Sequence, residues 1–306
     1  MSDLPVTLQV RPGYLWSRFS RSPVAIIAAA ITLLMTLAAL AAPLLAPQNP
    51  FDPAVLELTN GLLPPAWVDG SDTRFLLGSD DQGRDMLSAL LYGSRVSLFV
   101  GLASVLFAAG LGVLVGLIAG YAGGWIDTLA MRLADVQLTI PAILIALMID
   151  GLARAALPPG VHDAVAIYVL IFSIGIADWP QYARVVRAAT AVQKTLGYVS
   201  AARVMGVPGP VIVLRHILPN VLTSVLVLGT LGLALAIISE ATLSFLGVGM
   251  PPTSPSLGTL IRIGNNFLFS GEWWITLFPS LTLVVLALAV NLLGDWLRDA
   301  LNPKLK

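Results

Sequence analysis

The residues that most often supply chemistry in a protein are scarce in this chain, and none stands in a catalytic pattern. Cysteine is absent, and the only histidines, His162 and His216, form no H-E-x-x-H pair of a zinc hydrolase. No G-x-S-x-G nucleophile elbow occurs. The three lysines, Lys194, Lys304 and Lys306, follow no phosphate-binding loop of the form G-x-x-x-x-G-K-[ST]. The sequence therefore predicts no catalytic residue, no bound cofactor and no metal site.

The composition points to lipid as the solvent of this chain. Hydrophobic residues make up 57% of its 306 positions, charged residues 11%, and the mean hydropathy is +0.87. A soluble domain carries about 25% charged residues, so a soluble fold could not bury this much apolar surface. The net charge of zero gives no basic excess, and nucleic acid is therefore not an expected partner.

Six apolar runs predict an all-α, polytopic membrane protein with about six transmembrane helices. Four runs are long enough to cross a hydrocarbon core of about 30 Å. They are 24–45, 96–121, 217–239 and 275–294. Two further runs, 136–149 and 164–177, are shorter and must extend through charged ends. Where the third span enters the membrane, we expect Arg132 and Asp135 to pair about one helical turn apart.

The distribution of Lys and Arg predicts the orientation of this bundle. With a cytoplasmic N-terminus, twelve of the 17 basic residues lie on the inner side, as the positive-inside rule favours. Both termini are then cytoplasmic. The stretch between Asp178 and Glu240 contains basic residues and no acidic one, which makes it the most firmly cytoplasmic loop. The basic residues left outside are Arg74, Arg84, Arg95, Arg154 and Arg262.

The predicted topology divides the chain into five segments. They are a cytoplasmic N-terminal tail (1–23), the first transmembrane helix (24–46), an extracytoplasmic loop (47–95), a core of five transmembrane helices (96–295) and a cytoplasmic C-terminal tail (296–306). The first helix is predicted to be a retained anchor, because its apolar run is longer than that of a secretory signal. In the second span, Gly112, Gly116 and Gly120 form a face that another helix can approach closely.

Ion-coupled transport would need ionisable side chains near the middle of the membrane. Asp135, Asp150, Asp178 and Glu240 all fall near the ends of predicted helices, which favours interfacial or helix-packing roles. Glu240 lies between two apolar stretches, and the sequence allows two interpretations of its role. It is either a hydrogen-bonded packing residue, which is favoured, or part of a translocation path.

The segment 198–210 predicts a short amphipathic helix at the inner membrane surface. Four of its residues recur at helical spacing and would form one apolar face. They are Tyr198, Ala201, Ala202 and Met205. Gly206 and Pro208 predict the end of this helix, and Pro219 falls in the first turn of the fifth span, where a missing N–H costs little. Such a helix could dock in the groove of a partner protein or rest against lipid.

This segment resembles the cytoplasmic coupling motif of ABC importer permeases, which reads E-A-A, three residues, G, a nine-residue gap and I-x-L-P. The matching residues are Ala201, Ala202, Gly206, Leu218 and Pro219. Ser200 replaces the Glu, which weakens any claim of an acidic contact to an ATPase, and His216 replaces the first Ile, with Ile217 beside it to supply apolar bulk. Ser is nevertheless acceptable near a helix start. The ATPase-coupling residues that the resemblance implies are Ser200, Ala201, Ala202, Arg203, Gly206 and Pro219.

Five further motifs narrow the resemblance to permeases for dipeptides, oligopeptides and related solutes, and within them to the second of two paired subunits. They are LGSDDQGRD (77–85), YGSRVSL (92–98), GYAGGW (120–125), EATLSFLG (240–247) and NLLGDWLRD (291–299). Together they cover nearly the whole chain from Ser22 onward. Relatives of this type carry peptides, nickel chelates, glutathione and sugars, so the motifs leave the solute open.

The resemblance implies the type I ABC importer permease fold and a permease subunit of an ATP-driven importer in the cytoplasmic (inner) membrane. The implied partners are a second permease, two cytoplasmic ATPases that bind ATP and Mg²⁺, and an extracytoplasmic solute-binding protein. Energy would reach the bundle mechanically, through the helix at 198–210. The alternative is an ion-coupled secondary transporter that works without an ATPase. A membrane enzyme is disfavoured because the catalytic patterns are missing.

Overall fold

The computed structural model of the protein describes residues 12–301, so parts of the predicted tails 1–23 and 296–306 lie outside the described residues. In chain order the helices are α1 (Pro12–Phe19), α2 (Pro23–Leu40), α3 (Ala42–Leu45), α4 (Met86–Ala122), α5 (Gly124–Leu138), α6 (Ala142–Ala156), α7 (Pro159–Lys194), α8 (Gly197–Val204), α9 (Gly209–Val211), α10 (Leu218–Phe245), α11 (Leu257–Asn265) and α12 (Trp273–Leu301). A π-helical turn, Ile212–Ile217, joins α9 to α10, and two 3₁₀ turns, Pro53–Val55 and Leu58–Asn60, lie between α3 and α4.

Within residues 12–301, five helices are long and apolar enough to cross a membrane. They are Pro23–Leu40, Met86–Ala122, Gly160–Lys194, Gly209–Phe245 and Trp273–Leu301. The pair α5 and α6 supplies a sixth crossing if it counts as one span, with a bend of 90° at its break. The prediction of an all-α bundle with about six transmembrane helices is therefore confirmed.

The third span differs from the single helix predicted over 136–149. Its helix stops at Leu138 and a new one starts at Ala142, after Pro141. Proline lacks an N–H and disfavours helical backbone in the residue before it, so it ends α5 at this point. The predicted third span is thus two helices, α5 and α6, interrupted at residues 139–141.

The long helices extend beyond the predicted apolar runs. α4 begins at Met86, well before position 96, and its 37 residues span about 55 Å at 1.5 Å per residue. The ends of an apolar run were set at the first charged residue. A helix can continue past that residue when its polar side chains pack against the rest of the protein. Because α7 extends on both sides of 164–177, Asp178 lies near the middle of that helix and not near its end. The predicted interfacial position of Asp178 is therefore wrong.

The most extensive helix contact joins α4 to α7. A Cβ atom added at Gly112, Gly116 or Gly120 would lie 2.7 Å or less from an atom of α7, such as Cβ of Tyr182 or Thr190. Side chains of any size would force these helices apart. The predicted small-residue face of α4 is confirmed, and the helix that packs against it is α7.

The remaining long helices complete the bundle around this pair. α10 packs against α4, α7 and α12, while α2 packs against α4 and α12. The start of α2 is fixed by the side chain of Ser22, which accepts a hydrogen bond from the N–H of Ala25, and by Pro23 in the first turn. The bundle therefore holds its inner-face and outer-face loops at the ends of contacting helices.

Candidate functional site

The predicted inner-face helix is present as α8, and its end has a defined geometry. Gly206 has φ of +76°, and its N–H donates to the carbonyl of Arg203 at 3.0 Å. The N–H of Val207 donates to the carbonyl of Ala202, also at 3.0 Å. These two bonds form a Schellman motif, in which the left-handed position favours glycine. The predicted helix and its stop at Gly206 are both confirmed.

The buried face of α8 differs from the predicted one. Val199 and Ala202 are buried, with Ala202 only 2% exposed, whereas Tyr198 is 37% and Met205 74% exposed. Ala202 packs into the core beneath α8, so in this conformation it supports the helix from inside and faces no partner. The other predicted coupling residues, Ser200, Ala201, Arg203, Gly206 and Pro219, lie on the surface.

Tyr198 connects α8 by hydrogen bonds to the ends of two long helices. Its hydroxyl donates to Oε1 of Gln193 in α7 at 2.6 Å and lies 3.4 Å from Nδ2 of Asn220 in α10. The same Asn220 amide donates to the carbonyl of His216 at 2.7 Å. Burial raises the pKa of Tyr198, so its hydroxyl keeps its proton. These bonds attach α8 to the ends of both α7 and α10.

Tyr121, at the inner end of α4, adds a second attachment that the sequence analysis missed. Its carbonyl accepts a hydrogen bond from Nζ of Lys194 at 2.6 Å. The guanidinium of Arg203 lies 5.6 Å from the centre of the Tyr121 ring, within cation–π range. The only signal in the sequence was the position of Tyr121 in the motif 120–125. The inner end of α4 is therefore bound to both α7 and α8.

Pro219 lies in the first turn of α10, as predicted, but helical backbone already precedes it. The span runs from Gly209 to Phe245 as one helical segment, and Leu218 N–H bonds to the carbonyl of Val213, five residues back. Proline removes one N–H and crowds the preceding turn, and a π-helical turn accommodates that crowding. Pro219 therefore shapes the connection between α8 and the fifth span.

Glu240 is completely buried between α4 and α10, and both its oxygens accept hydrogen bonds. Ser97 donates to Oε2 and Ser244 to Oε1, each at 2.7 Å. The same serine hydroxyls accept from the backbone N–H of Leu257 at 3.3 Å and of Met250 at 3.1 Å. The carboxylate thus ties together α4, α10 and the start of α11. These contacts favour the packing interpretation over the translocation path.

The motif 77–85 folds into a compact outer structure built on a buried ion pair. Nε of Arg84 donates to Oδ2 of Asp80 at 2.5 Å, and both side chains are 1% exposed or less. Nη1 of Arg84 also donates to the carbonyl of Pro252 at 2.8 Å. We call residues 77–85 the outer knot. Its ion pair attaches the loop before α4 to the loop before α11.

Two further contacts anchor the outer knot to helix ends. The carboxylate of Asp85 accepts hydrogen bonds from the N–H of Ser88 at 2.7 Å and from its hydroxyl at 2.6 Å, which caps α4. Nε1 of Trp274 donates to the carbonyl of Ser79 at 3.0 Å, which joins the start of α12. The outer knot therefore stabilises the fold through the hydrogen bonds of Arg84, Asp80 and Asp85, although Nη2 of Arg84 and Oδ1 of Asp85 have no hydrogen-bond partner among the described residues.

The other acidic residues occupy different environments. Asp135 pairs with Arg184 of α7 at 3.7 Å, across an exposed surface, so the predicted pairing with Arg132 is replaced by an interhelical one. Asp150 is buried at the outer end of α6, where Nε of Arg154 donates to it at 2.7 Å and Nε2 of His162 lies 3.5 Å away. In the described part of the chain, no group of three or more His, Asp or Glu side chains is placed to hold a metal ion.

The described residues form five or six apolar helices that could cross a membrane, and the short helix α8 lies at one end of this bundle with Ala201 and Gly206 exposed. A family model described as "Binding-protein-dependent transport system inner membrane component" matches residues 112–306, and another, "N-terminal TM domain of oligopeptide transport permease C", matches residues 13–65. The chain belongs to the family of binding-protein-dependent transport system inner membrane components.

Two curated relatives extend this match to the whole length of the chain. The dipeptide transport system permease protein DppC of Haemophilus influenzae is 39% identical and covers 100% of both chains. The di/tripeptide transport system permease protein DppC of Pseudomonas aeruginosa is 38% identical and covers 95% of this chain and 91% of its own. These matches confirm the predicted permease function, and neither is to an ion-coupled secondary transporter.

A solved structure confirms the fold. The MetNI methionine ABC transporter, in an inward-facing conformation, matches with a TM-score of 0.56 and 20% identity, over 71% of this chain and 98% of the matched chain. The predicted ABC importer permease fold is therefore confirmed.

Proposed function

We propose that this chain is the second permease subunit of an ATP-driven importer of dipeptides or oligopeptides in the cytoplasmic (inner) membrane. Its partners are a second, homologous permease, two cytoplasmic ATPases that hold ATP and Mg²⁺, and an extracytoplasmic solute-binding protein. Both termini are cytoplasmic. The near full-length similarity to two peptide permeases supports the solute class, and the observation that carries the coupling role is the exposed face of α8.

The surface of α8 is suited to close docking by another protein. Ala201 and Gly206 are exposed and small, so a groove can approach the helix backbone closely. Buried Ala202 and hydrogen-bonded Tyr198 hold the helix against the bundle from beneath. When ATP closes the ATPase pair, α8 is displaced and carries α7 and α10 with it. For this to open the permease outward, the closed ATPases must bind one permease state more tightly than the other.

Replacing Ala201 with arginine tests this docking surface. The substitution adds a long charged side chain to the proposed interface without touching the core beneath. We expect uptake of a labelled dipeptide by the assembled importer to fall by about tenfold or more, and the ATPases to stop co-purifying with the permease. The matched control is Ala156→Arg, the same change at an exposed position at the outer end of α6. Normal uptake by the Ala201 variant would contradict the proposal.

A labelling experiment tests the orientation separately. Because the chain has no cysteine, single variants Ala201→Cys and Ala156→Cys start from a clean background. A membrane-impermeant maleimide added to intact cells or spheroplasts should label position 156 and spare position 201. Inside-out vesicles should give the opposite result. Labelling of position 201 from outside the cell would refute the cytoplasmic placement of α8.

A further inference from the structure

Asp178 is an acidic residue near the centre of a long apolar helix, and the proposed coupling mechanism does not explain its position. It lies near the centre of α7, whose 36 residues run from Pro159 to Lys194. An ionisable side chain near the middle of a transmembrane helix is costly, and it is found where a partner or a function compensates that cost. Among residues 12–301, Asp178 makes no hydrogen bond or ion pair.

The carboxylate lines a small cavity between three helices. The cavity has a volume of about 90 Å³ and is lined by Asp178 of α7, Ser239 and Thr242 of α10, and the first residues of α6, Ala142 and Ile143. Its position matches the break in the third span, because Gln137 at the end of α5 donates to the carbonyls of Ile176 and Ala177. In secondary transporters, solute sites lie near the bilayer midplane beside discontinuous helices, and the cavity at Asp178 lies beside a helix interruption of the same kind.

The polar groups of this cavity suit one end of a cationic solute. A primary ammonium group donates three hydrogen bonds and carries one positive charge. A carboxylate and two hydroxyl oxygens offer acceptors of the matching number and sign, and a charge-assisted bond to the carboxylate is the strongest of the three. The volume admits a headgroup of a few atoms, while the rest of the solute would remain in the space between the two permeases.

We infer that Asp178, with Ser239 and Thr242, binds the protonated amine of the solute on its way through the membrane. This inference rests on the proposed peptide importer, because a peptide with a free amino terminus supplies such a group. Asp178 is then a residue that selects for cationic solute ends.

The test uses the complete importer, with both permeases, both ATPases and a saturating amount of binding protein, in proteoliposomes. The measured quantity is the amount of radiolabelled alanyl-alanine imported per ATP hydrolysed. We expect Asp178→Asn to lower this ratio by about tenfold, since it removes a charge-assisted bond, while ATP hydrolysis itself stays near the wild-type rate. Asp178→Glu should recover most of the ratio. Asp163→Asn, the same change at an exposed position of α7, is the matched control and should leave the ratio unchanged.

Three results would overturn the inference. An unchanged ratio in Asp178→Asn would show that the solute does not use the carboxylate. Loss of ATP hydrolysis together with import would indicate that Asp178 stabilises the start of α6. Dissociation of the second permease would indicate that a cation of that subunit, and not the solute, is its partner. If the wild-type importer moves neither alanyl-alanine nor a longer peptide, the proposed function is contradicted and the inference fails with it.

Discussion

The outer knot and α8 carry sequence motifs of equal clarity, yet their residues behave in opposite ways. In the outer knot, Arg84 and Asp80 are paired and buried, and a Cβ added at Gly83 would lie 2.3 Å from the carbonyl oxygen of Glu57. At the end of α8, a Cβ added at Gly206 would meet no atom within 4 Å. The residues of the outer knot are therefore enclosed by the rest of the chain, whereas Gly206 at the end of α8 borders open space.

This contrast distinguishes two roles that the residues of a sequence motif can have, one in folding and one in binding. Where the residues of a motif satisfy each other's charges and hydrogen bonds, the motif specifies folding, and a substitution damages the chain itself. Where they are exposed on a well-supported element, as Ala201 is on α8, folding does not require their identity. This exposure is the reason we propose a role for them in contact with another protein.

The largest effect is expected from breaking the ion pair of the outer knot. Arg84→Ala leaves the buried Asp80 carboxylate without its partner, which costs about 3–5 kcal/mol. We expect a strong loss of folded protein from the membrane and a lower thermal unfolding temperature in detergent. Arg74→Ala is the matched control, because Arg74 is 64% exposed in its pair with Asp72 and exposed pairs contribute little. Equal stability of the two variants would show that the buried ion pair of the outer knot contributes no more to folding than an exposed pair does.

The next effect concerns Gly206 and tests whether its conformation or its small size matters. Gly206→Val forces a β-branched residue into positive φ, at a cost of about 1–3 kcal/mol, and should release the end of α8 and abolish dipeptide uptake. Gly206→Asn should retain most uptake, because asparagine tolerates this conformation and meets no atom of the chain. If the asparagine variant is also inactive, the position is needed as part of the docking surface.

A smaller effect is expected at Glu240, which, like the ion pair of the outer knot, is buried and hydrogen-bonded within the chain. Glu240→Gln turns one acceptor oxygen toward a serine hydroxyl into an amide N–H₂, and the cost of the lost bond is about 1–2 kcal/mol. The thermal unfolding temperature should fall, while the amount of dipeptide imported per ATP stays at the wild-type value. A variant of normal stability with a much lower import ratio would instead assign Glu240 to the translocation path.

The smallest effect is expected from Tyr198→Phe, which loosens α8 without changing its exposed face. Loss of the hydroxyl removes the bond to Gln193, worth about 1 kcal/mol. Amide hydrogen exchange should speed up in Gly197–Val204 and remain unchanged in the outer knot. Exchange that is unchanged in α8 would show that burial of Val199 and Ala202 is sufficient to hold the helix.

The sequence predicted the number of spans because the thickness of the hydrocarbon core fixes the length of an apolar run. It did not predict where helices end, since residues such as Arg95 and Arg184 continue a helix beyond the apolar run. Asp178 was assigned to a helix end for the same reason, because charge was taken as the boundary. The break in the third span did have a signal, Pro141, inside the predicted run.

The inner-face helix shows a second limit of sequence patterns. Helical spacing correctly predicted α8, but two faces of it carry small or apolar residues. Which face is buried depends on the position of the helix over the bundle core, and that position is set by Tyr198, Arg203 and the π-helical turn. Ala202 was therefore expected on the surface and is found beneath it.

The glycine contact between α4 and α7 has a mechanical consequence. With their backbones this close at Gly112, Gly116 and Gly120, the two helices cannot slide past each other and behave as one strut. If α8 moves as proposed, its displacement would reach α7 through the bond between Tyr198 and Gln193, and α4 would have to move together with α7. Asp85, at the opposite end of α4, would then move with them.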